Sequence, residues 1–288
     1  MNRLVFVTIL TACLLISCNN PIETESSKMM SNVNVHPGEQ GVDFERRNAG
    51  NVIVDRQPAG LNFYKLDWKT SAPGKITVDH GKYTFTIDNA LSFMGTESID
   101  LPKEGMIDID ISAGITAPEL IAHDEARLKT SAILQRLTQI GWKRYVHRSD
   151  PRLIGKDMLE YVLKESNASS LDPRYVPSLD EWMRLSSRMK WIFYADHLYL
   201  DVSFTREQTL QDVNKPGSYI LNFTLKTESE YFRRYVGGRE RDKWKELLPA
   251  ALAKRPQMRA LAEAKKRALG VRIDEDYQDN PVPNFISK

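Results

Sequence analysis

Cysteine is nearly absent: Cys13 and Cys18 are the two in 288 residues, and none follows. A body without thiols excludes disulfide cross-links, thiolate nucleophiles and Cys-ligated metal, so burial has to hold the fold. The linear motifs of the common enzyme classes are missing as well. There is no Gly-x-Ser-x-Gly elbow, no His-Glu-x-x-His, no phosphate-cradling glycine loop and no dinucleotide fingerprint, so no metal and no cofactor are expected. Internal repeats and low-complexity tracts are also lacking, which excludes solenoids and propellers. The net charge of +2 is too small to name a partner class. The five histidines (His36, His80, His123, His147, His197) fall on loops, turns and element ends without ligand spacing, and surface or turn roles are expected for them.

What is present begins with the apolar run Leu4–Ile16, preceded by Arg3 and followed by small Ser17, the layout of a secretory signal. The run is too short to span a bilayer, which takes about 20 residues. Its end, Leu15-Ile16-Ser17-Cys18, resembles the lipobox of bacterial lipoproteins, whose cysteine receives a diacylglyceryl group before cleavage leaves it as the new N-terminus. The resemblance implies a signal peptide over residues 1–17 and lipidation of Cys18. Removing 17 of the 288 residues leaves a mature chain of 271, enough for a sizeable core. Several acyl chains on one residue, at about 0.8 kcal/mol per buried methylene, make an effectively permanent anchor. By resemblance to enterobacterial sorting, Asn19 after the cysteine, with no Asp there, implies the outer membrane, with the body facing the periplasm.

From residue 18 to residue 60 the sequence is polar and punctuated, and it reads as a flexible tether for a body spanning 61–288. The body reads as α+β, with antiparallel sheet covered by helices and a helical C-terminal segment, divisible near residue 115. Apolar residues alternate at Ile76 and Val78, at Tyr83, Phe85 and Ile87 beyond the turn His80-Gly81-Lys82, and at Ile107, Ile109 and Ile111. The period then lengthens: Ala126, Ile133, Leu137 and Ile140 share a helical stripe that Gly141 closes. Trp142 to Val146 reads as a strand and Ile154 to Lys164 as a short helix; the loop 166–177 reads as exposed. Ser178 with Glu181 forms a capping-box pattern. Trp191, Phe193 and Ala195 meet Leu198, Leu200, Val202 and Phe204 across the turn Asp196-His197, with Tyr219, Leu221, Phe223 and Leu225 as the next strand.

Residues 229–272 hold 13 Lys or Arg against five acids, and the tail turns acidic at Asp274, Glu275, Asp276 and Asp279, able to fold back on this basic segment. Trp244, Leu247, Leu248, Ala251 and Leu252 give it a core-facing stripe, which Pro249 is expected to bend. A solvated helical face with pairs such as Glu240–Lys243 is the bland expectation. Anionic lipid headgroups or an acidic protein are the functional ones, and nucleic acid is not expected as a partner.

Two functions follow. A lipid-anchored, thiol-free α+β body loosely resembles the immunity lipoproteins that block antibacterial effectors, including phospholipases, delivered by type VI secretion. That resemblance implies a protein partner, stoichiometric occlusion and no enzymatic activity. Arg233, Arg234, Arg239 and Arg241 are the expected charged rim. The alternative is an envelope enzyme or small-molecule carrier with a pocket between sheet and helix, using Asp108, Asp110, Ser187 and His197. Asp108 and Asp110 at i, i+2 are otherwise the wet face of a strand, and Ser187-Arg188-Met189-Lys190 matches Ser-x-x-Lys without the Lys-Thr-Gly strand of penicillin-binding enzymes.

Overall fold

Where apolar residues alternate, the chain forms sheet, and the pairing follows from which faces are greasy. The computed structural model describes residues 31–117, 119–165 and 169–283; Cys18 and the lipobox lie outside them. In chain order the first half holds β1 (Asn32–Val35), α1 (Gly41–Arg47), β2 (Ile53–Gln57), β3 (Leu61–Asp67), β4 (Gly74–Val78), β5 (Phe85–Ser98), β6 (Met106–Gly114) and β7 (Leu120–Ile121). The second half holds α2 (His123–Ile140), β8 (Lys143–Arg144), α3 (Gly155–Lys164), α4 (Leu179–Arg184), β9 (Lys190–Ala195), β10 (Leu198–Arg206), β11 (Gly217–Thr227), α5 (Glu228–Arg233), α6 (Trp244–Leu252) and α7 (Arg255–Ala268).

The fold is α+β. Among the described residues, 11 strands form one mostly antiparallel sheet along the order β1-β4-β5-β6-β11-β10-β9-β8. The long β5 pairs β4 with its first half and β3 with its second, on one edge, while β6 takes the other edge. The hairpin β9–β10 turns at Asp196 and His197, both at positive φ (39° and 66°), the geometry of a tight primed turn. Gly141 ends α2 at φ 113°, where a side chain would strain the backbone and meet Tyr83. The capping box of Ser178 and Glu181 is present at the start of α4.

The expectation of a tether over residues 18–60 is corrected for its described part. β1 adds to the sheet in parallel beside β4, in register Val33↔Ile76 and Val35↔Val78, and both valines are buried. α1 buries Phe44, which stacks on Phe93 with ring centres 4.8 Å apart. Gly41 lets that helix approach so closely that a Cβ would fall 2.0 Å from the Tyr64 ring, and its N–H donates to Glu97. Polar residues dominate this stretch by count, but a few apolar ones at the right spacing close the sheet edge. The body therefore begins no later than residue 32 rather than at 61.

Helices cover both faces of the second half of the sheet. On one face α2, α3 and α4 bury Ala126, Leu134, Leu137, Met158, Leu159, Val162 and Trp182 against Trp191, Phe193, Val202, Leu221 and Phe223. On the other, Ile192 of β9 and Tyr199 of β10 pack against Tyr231 and Phe232 of α5 and Trp244, Leu248 and Leu252 of α6. On this second face Ile192, Tyr194 and Tyr199 form a patch between the polar residues Lys190 and Asp201, and that patch is what α5 and α6 cover. α6 runs through Pro249 to Leu252, and α7 starts after a break at Ala253–Lys254, with Pro256 in its first turn. The acidic tail folds back on α7: Arg259 pairs with Asp279 at 2.7 Å and Arg267 with Glu275 at 2.5 Å.

Two further expectations change. Residues 169–173 of the loop expected to be exposed are buried, because Ser170 donates to the Leu171 carbonyl and accepts from Ile192 N–H, while Asp172 caps Gly155 N–H at 3.0 Å. His123 is also buried. Its Nδ1 lies 2.5 Å from the Tyr219 hydroxyl, which itself accepts from Trp182 Nε1 and Arg206 Nε. With both hydroxyl lone pairs taken, Tyr219 donates to His123, so the imidazole is neutral with its proton on Nε2. Burial, and then Arg206, hold its pKa below the ordinary histidine value.

Candidate functional site

On the α5–α6 side of the sheet, an open cleft of about 520 Å³ is lined by His147, Arg188, Lys190, Ile192, Tyr231, Arg234, Tyr235 and Arg255. Four separate pieces of chain meet there. Arg188 sits in the turn before β9, and Lys190 and Ile192 are on the strand, two residues apart and so on one face. Tyr231 belongs to α5, Arg234 and Tyr235 follow its end, Arg255 opens α7, and His147 lies just past β8. Four cationic groups and no carboxylate line the cleft.

The floor is aromatic. Tyr231 stacks on Tyr199 with ring centres 3.6 Å apart and planes 7° from parallel, and Tyr145 meets both rings edge-on. The Tyr145 and Tyr235 hydroxyls are 3.3 Å apart, and the Tyr231 hydroxyl is 3.5 Å from His147 Nδ1. Burial raises the phenols of Tyr145 and Tyr231 well above 10, so both stay protonated. Burial also lowers the pKa of His147, with Lys190 and Arg255 adding to it against the opposing charges of Asp150 and Asp201, so this ring is neutral near pH 7. The positive potential thus comes from the four cations.

Those four differ in how far their charge is used. Lys190 Nζ lies 2.5 Å from Asp201, so its charge is already paired. The Arg255 guanidinium lies over the Tyr235 ring, 4.4 Å from its centre, and its buried Nε has no hydrogen-bond partner. Among the described residues, the exposed Arg188 and Arg234 side chains form no hydrogen bond or ion pair. Unpaired guanidinium groups beside an aromatic floor can bind carboxylate or phosphate oxygens bidentately.

Comparison with protein-family models, curated proteins and solved structures gives no match for this chain.

Of the expected rim, Arg234 alone lines the cleft. Arg233 is 1 % exposed: it donates to Glu230 at 2.7 Å and to both oxygens of Glu104 at 2.7 and 2.8 Å, under the Trp244 ring. Arg241 pairs with the same Glu230 at 2.5 Å, and Arg239 is exposed outside the cleft. The expected rim role of Arg233 is therefore corrected to a structural one, because a guanidinium this buried between two carboxylates is out of a partner's reach. The pairs Glu240–Lys243 and Lys243–Glu246 are not among the ion pairs of the described residues.

The residues of the alternative reading do not converge. Asp108 is held by Lys226 directly across the strand pair, and Asp110 accepts from Thr224 at 2.6 Å in the next register position. Burial leaves the Asp108 carboxyl above its ordinary pKa despite the ammonium. Ser187 is exposed in a turn, and the Lys190 ammonium is engaged by Asp201 at 2.5 Å rather than by the serine. His197 Nδ1 lies 2.7 Å from Glu228, whose hydrogen bond raises the imidazole pKa. A cavity between sheet and helix does exist, but none of these four lines it.

Arg188, Lys190, Arg255 and His147 carried little linear signal. Arg188 and Lys190 are a dipeptide-scale cue, and Arg255 was one of 13 cations in its segment. The available clue was subtraction: a cation with no acid at i±3 or i±4 is more often free, which flags Arg188 and Arg255 but misses Arg234, because Glu230 at i−4 from it pairs with Arg233 instead.

Proposed function

We propose that this protein is a lipid-anchored binding protein of the cell envelope, held at the outer membrane through Cys18, whose cationic cleft receives an acidic segment of a protein partner. In its sharpest form the partner is an antibacterial effector and binding occludes it, the role of the immunity lipoproteins that the chain loosely resembles. The observation that carries the binding reading is the set of unpaired guanidinium groups of Arg188 and Arg234 beside Arg255 and an aromatic floor. Opposite charge steers encounter and selects partners. Tyr and Arg grouped in one depression are the residue types that dominate interface energetics.

The reading is tested with the full chain and an Arg188→Glu/Arg234→Glu variant, presented to envelope and effector extracts from salt below 0.1 M upward. A partner with an acidic contact surface is expected on the unaltered protein, lost in the variant and weakened by salt, since screening shortens to about 10 Å at 0.1 M. Equal capture by both proteins, or no capture at any salt, overturns it. The anchor is tested separately by mass spectrometry of the native N-terminal peptide, where an unmodified Cys18 would remove the placement.

A further inference from the structure

The opposite face of the sheet holds a second cavity, of about 260 Å³, beneath α2. Six positions of that helix line it, Lys129, Ala132, Ile133, Arg136, Leu137 and Ile140, which is one helical stripe. The sheet contributes Phe85, Ile87, Ala113, Ile115, Leu221 and Phe223. Ala113 on β6 lies in the sheet wall of this cavity, and its short side chain fills little of the space below the helix. Interiors normally close voids larger than a water molecule. Ile133 and Ile140 stay only half-buried along its wall.

Its polar rim is biased. The one carboxylate in the lining, Asp88, is engaged by Lys75 at 2.8 Å. Lys129 has only a loose pair with Glu125 at 3.5 Å, both half-exposed. Arg136 is exposed and, among the described residues, forms no hydrogen bond or ion pair. A largely apolar cavity with an unpaired guanidinium at its rim and a loosely held ammonium beside it matches one kind of molecule, an amphiphile with an apolar tail and an anionic head.

We propose that this cavity binds a single acyl chain carrying an anionic head group, with the tail between α2 and the sheet and the head on Arg136 and Lys129. The site is separate from the cationic cleft, and its fate does not depend on what the cleft binds.

The test uses the full chain carrying Cys18→Ser, so that no acyl group of its own competes, titrated calorimetrically with octanoate, decanoate, dodecanoate and uncharged dodecanol. Saturable one-to-one binding is expected, tightening about fourfold per added methylene until the cavity is full. Arg136→Glu is expected to weaken dodecanoate at least about tenfold and to leave dodecanol unchanged. Ile133→Trp, which fills the cavity from the helix side, is expected to abolish both, and Ala132→Trp serves the same purpose at a more exposed position. Failure of every probe to saturate overturns the proposal. So does dodecanoate binding that survives Arg136→Glu unchanged, or tail binding that survives both tryptophan variants.

Discussion

Replacing Arg233 with alanine separates a structural cation from a recognition cation on adjacent residues. Arg233 is enclosed by Glu104 and Glu230, and its guanidinium lies 5.3 Å from the Trp244 ring centre, whereas Arg234 points into the open cleft with no partner. Truncating Arg233 leaves Glu230 buried with Arg241 as its remaining cation and Glu104 with neither of its two short contacts. Breaking a buried pair by deleting one member costs about 3–5 kcal/mol, because the other charge stays desolvated. For a body of this size each kcal/mol moves Tm by about 2–4 °C, so a fall of roughly 6–20 °C is expected. Arg234→Ala should stay within about 0.5 kcal/mol of the unaltered protein, as surface changes do. Urea unfolding and calorimetry read both. Adding Glu230→Gln to an Arg233→Met background should recover part of the loss, since the uncompensated carboxylate is its cause. An Arg233→Ala protein within about 0.5 kcal/mol of the original, or an Arg234→Ala protein as damaged as Arg233→Ala, refutes the assignment.

Three more outcomes are expected. A chain cut to begin at residue 61 loses β1, α1 and β2 and should not give a protease-resistant body, whereas a cut at residue 30 should; limited proteolysis compares them. Tyr219→Phe removes the hydroxyl that Trp182, Arg206 and His123 share, and each buried polar group left unsatisfied costs about 1–3 kcal/mol, so chemical denaturation should show at least the lower figure. His123 and His147 both have folded pKa values below the unfolded value of about 6.5, so the unfolded chain takes up protons first. Stability should then fall as pH drops below 6.5, by at most about 1.4 kcal/mol per pH unit for each histidine. His197 works the other way, since Glu228 raises its pKa, but its exposure and solvent screening make it the minor contributor. Stability that rises steadily from pH 7 to pH 5 contradicts this.

Much of the sheet could be read directly. The pattern Leu198, Leu200, Val202, Phe204 beside Tyr219, Leu221, Phe223, Leu225 pairs in the register Leu200↔Leu225 and Phe204↔Leu221, because period two puts each set on one face. Gly141 and the Ser178–Glu181 box mark helix ends for reasons that act within four residues. β1 and α1 were illegible because their few apolar residues gain burial only from β4 and β5, more than forty positions away.

The candidate site was the least legible part. Arg233 and Arg234 are chemically identical and adjacent, yet one is fastened under Trp244 by Glu230 of its own helix and Glu104 of the β5–β6 connection, and the other faces solvent. Alternation, helix stops, turn chemistry and the absence of thiols were determined by the sequence itself, since each depends on near neighbours or on composition. Which cations remain unpaired, which histidines are buried and where a cavity lies were decided by the tertiary structure alone, because charge pairing and packing depend on distances between segments that only the folded chain brings together.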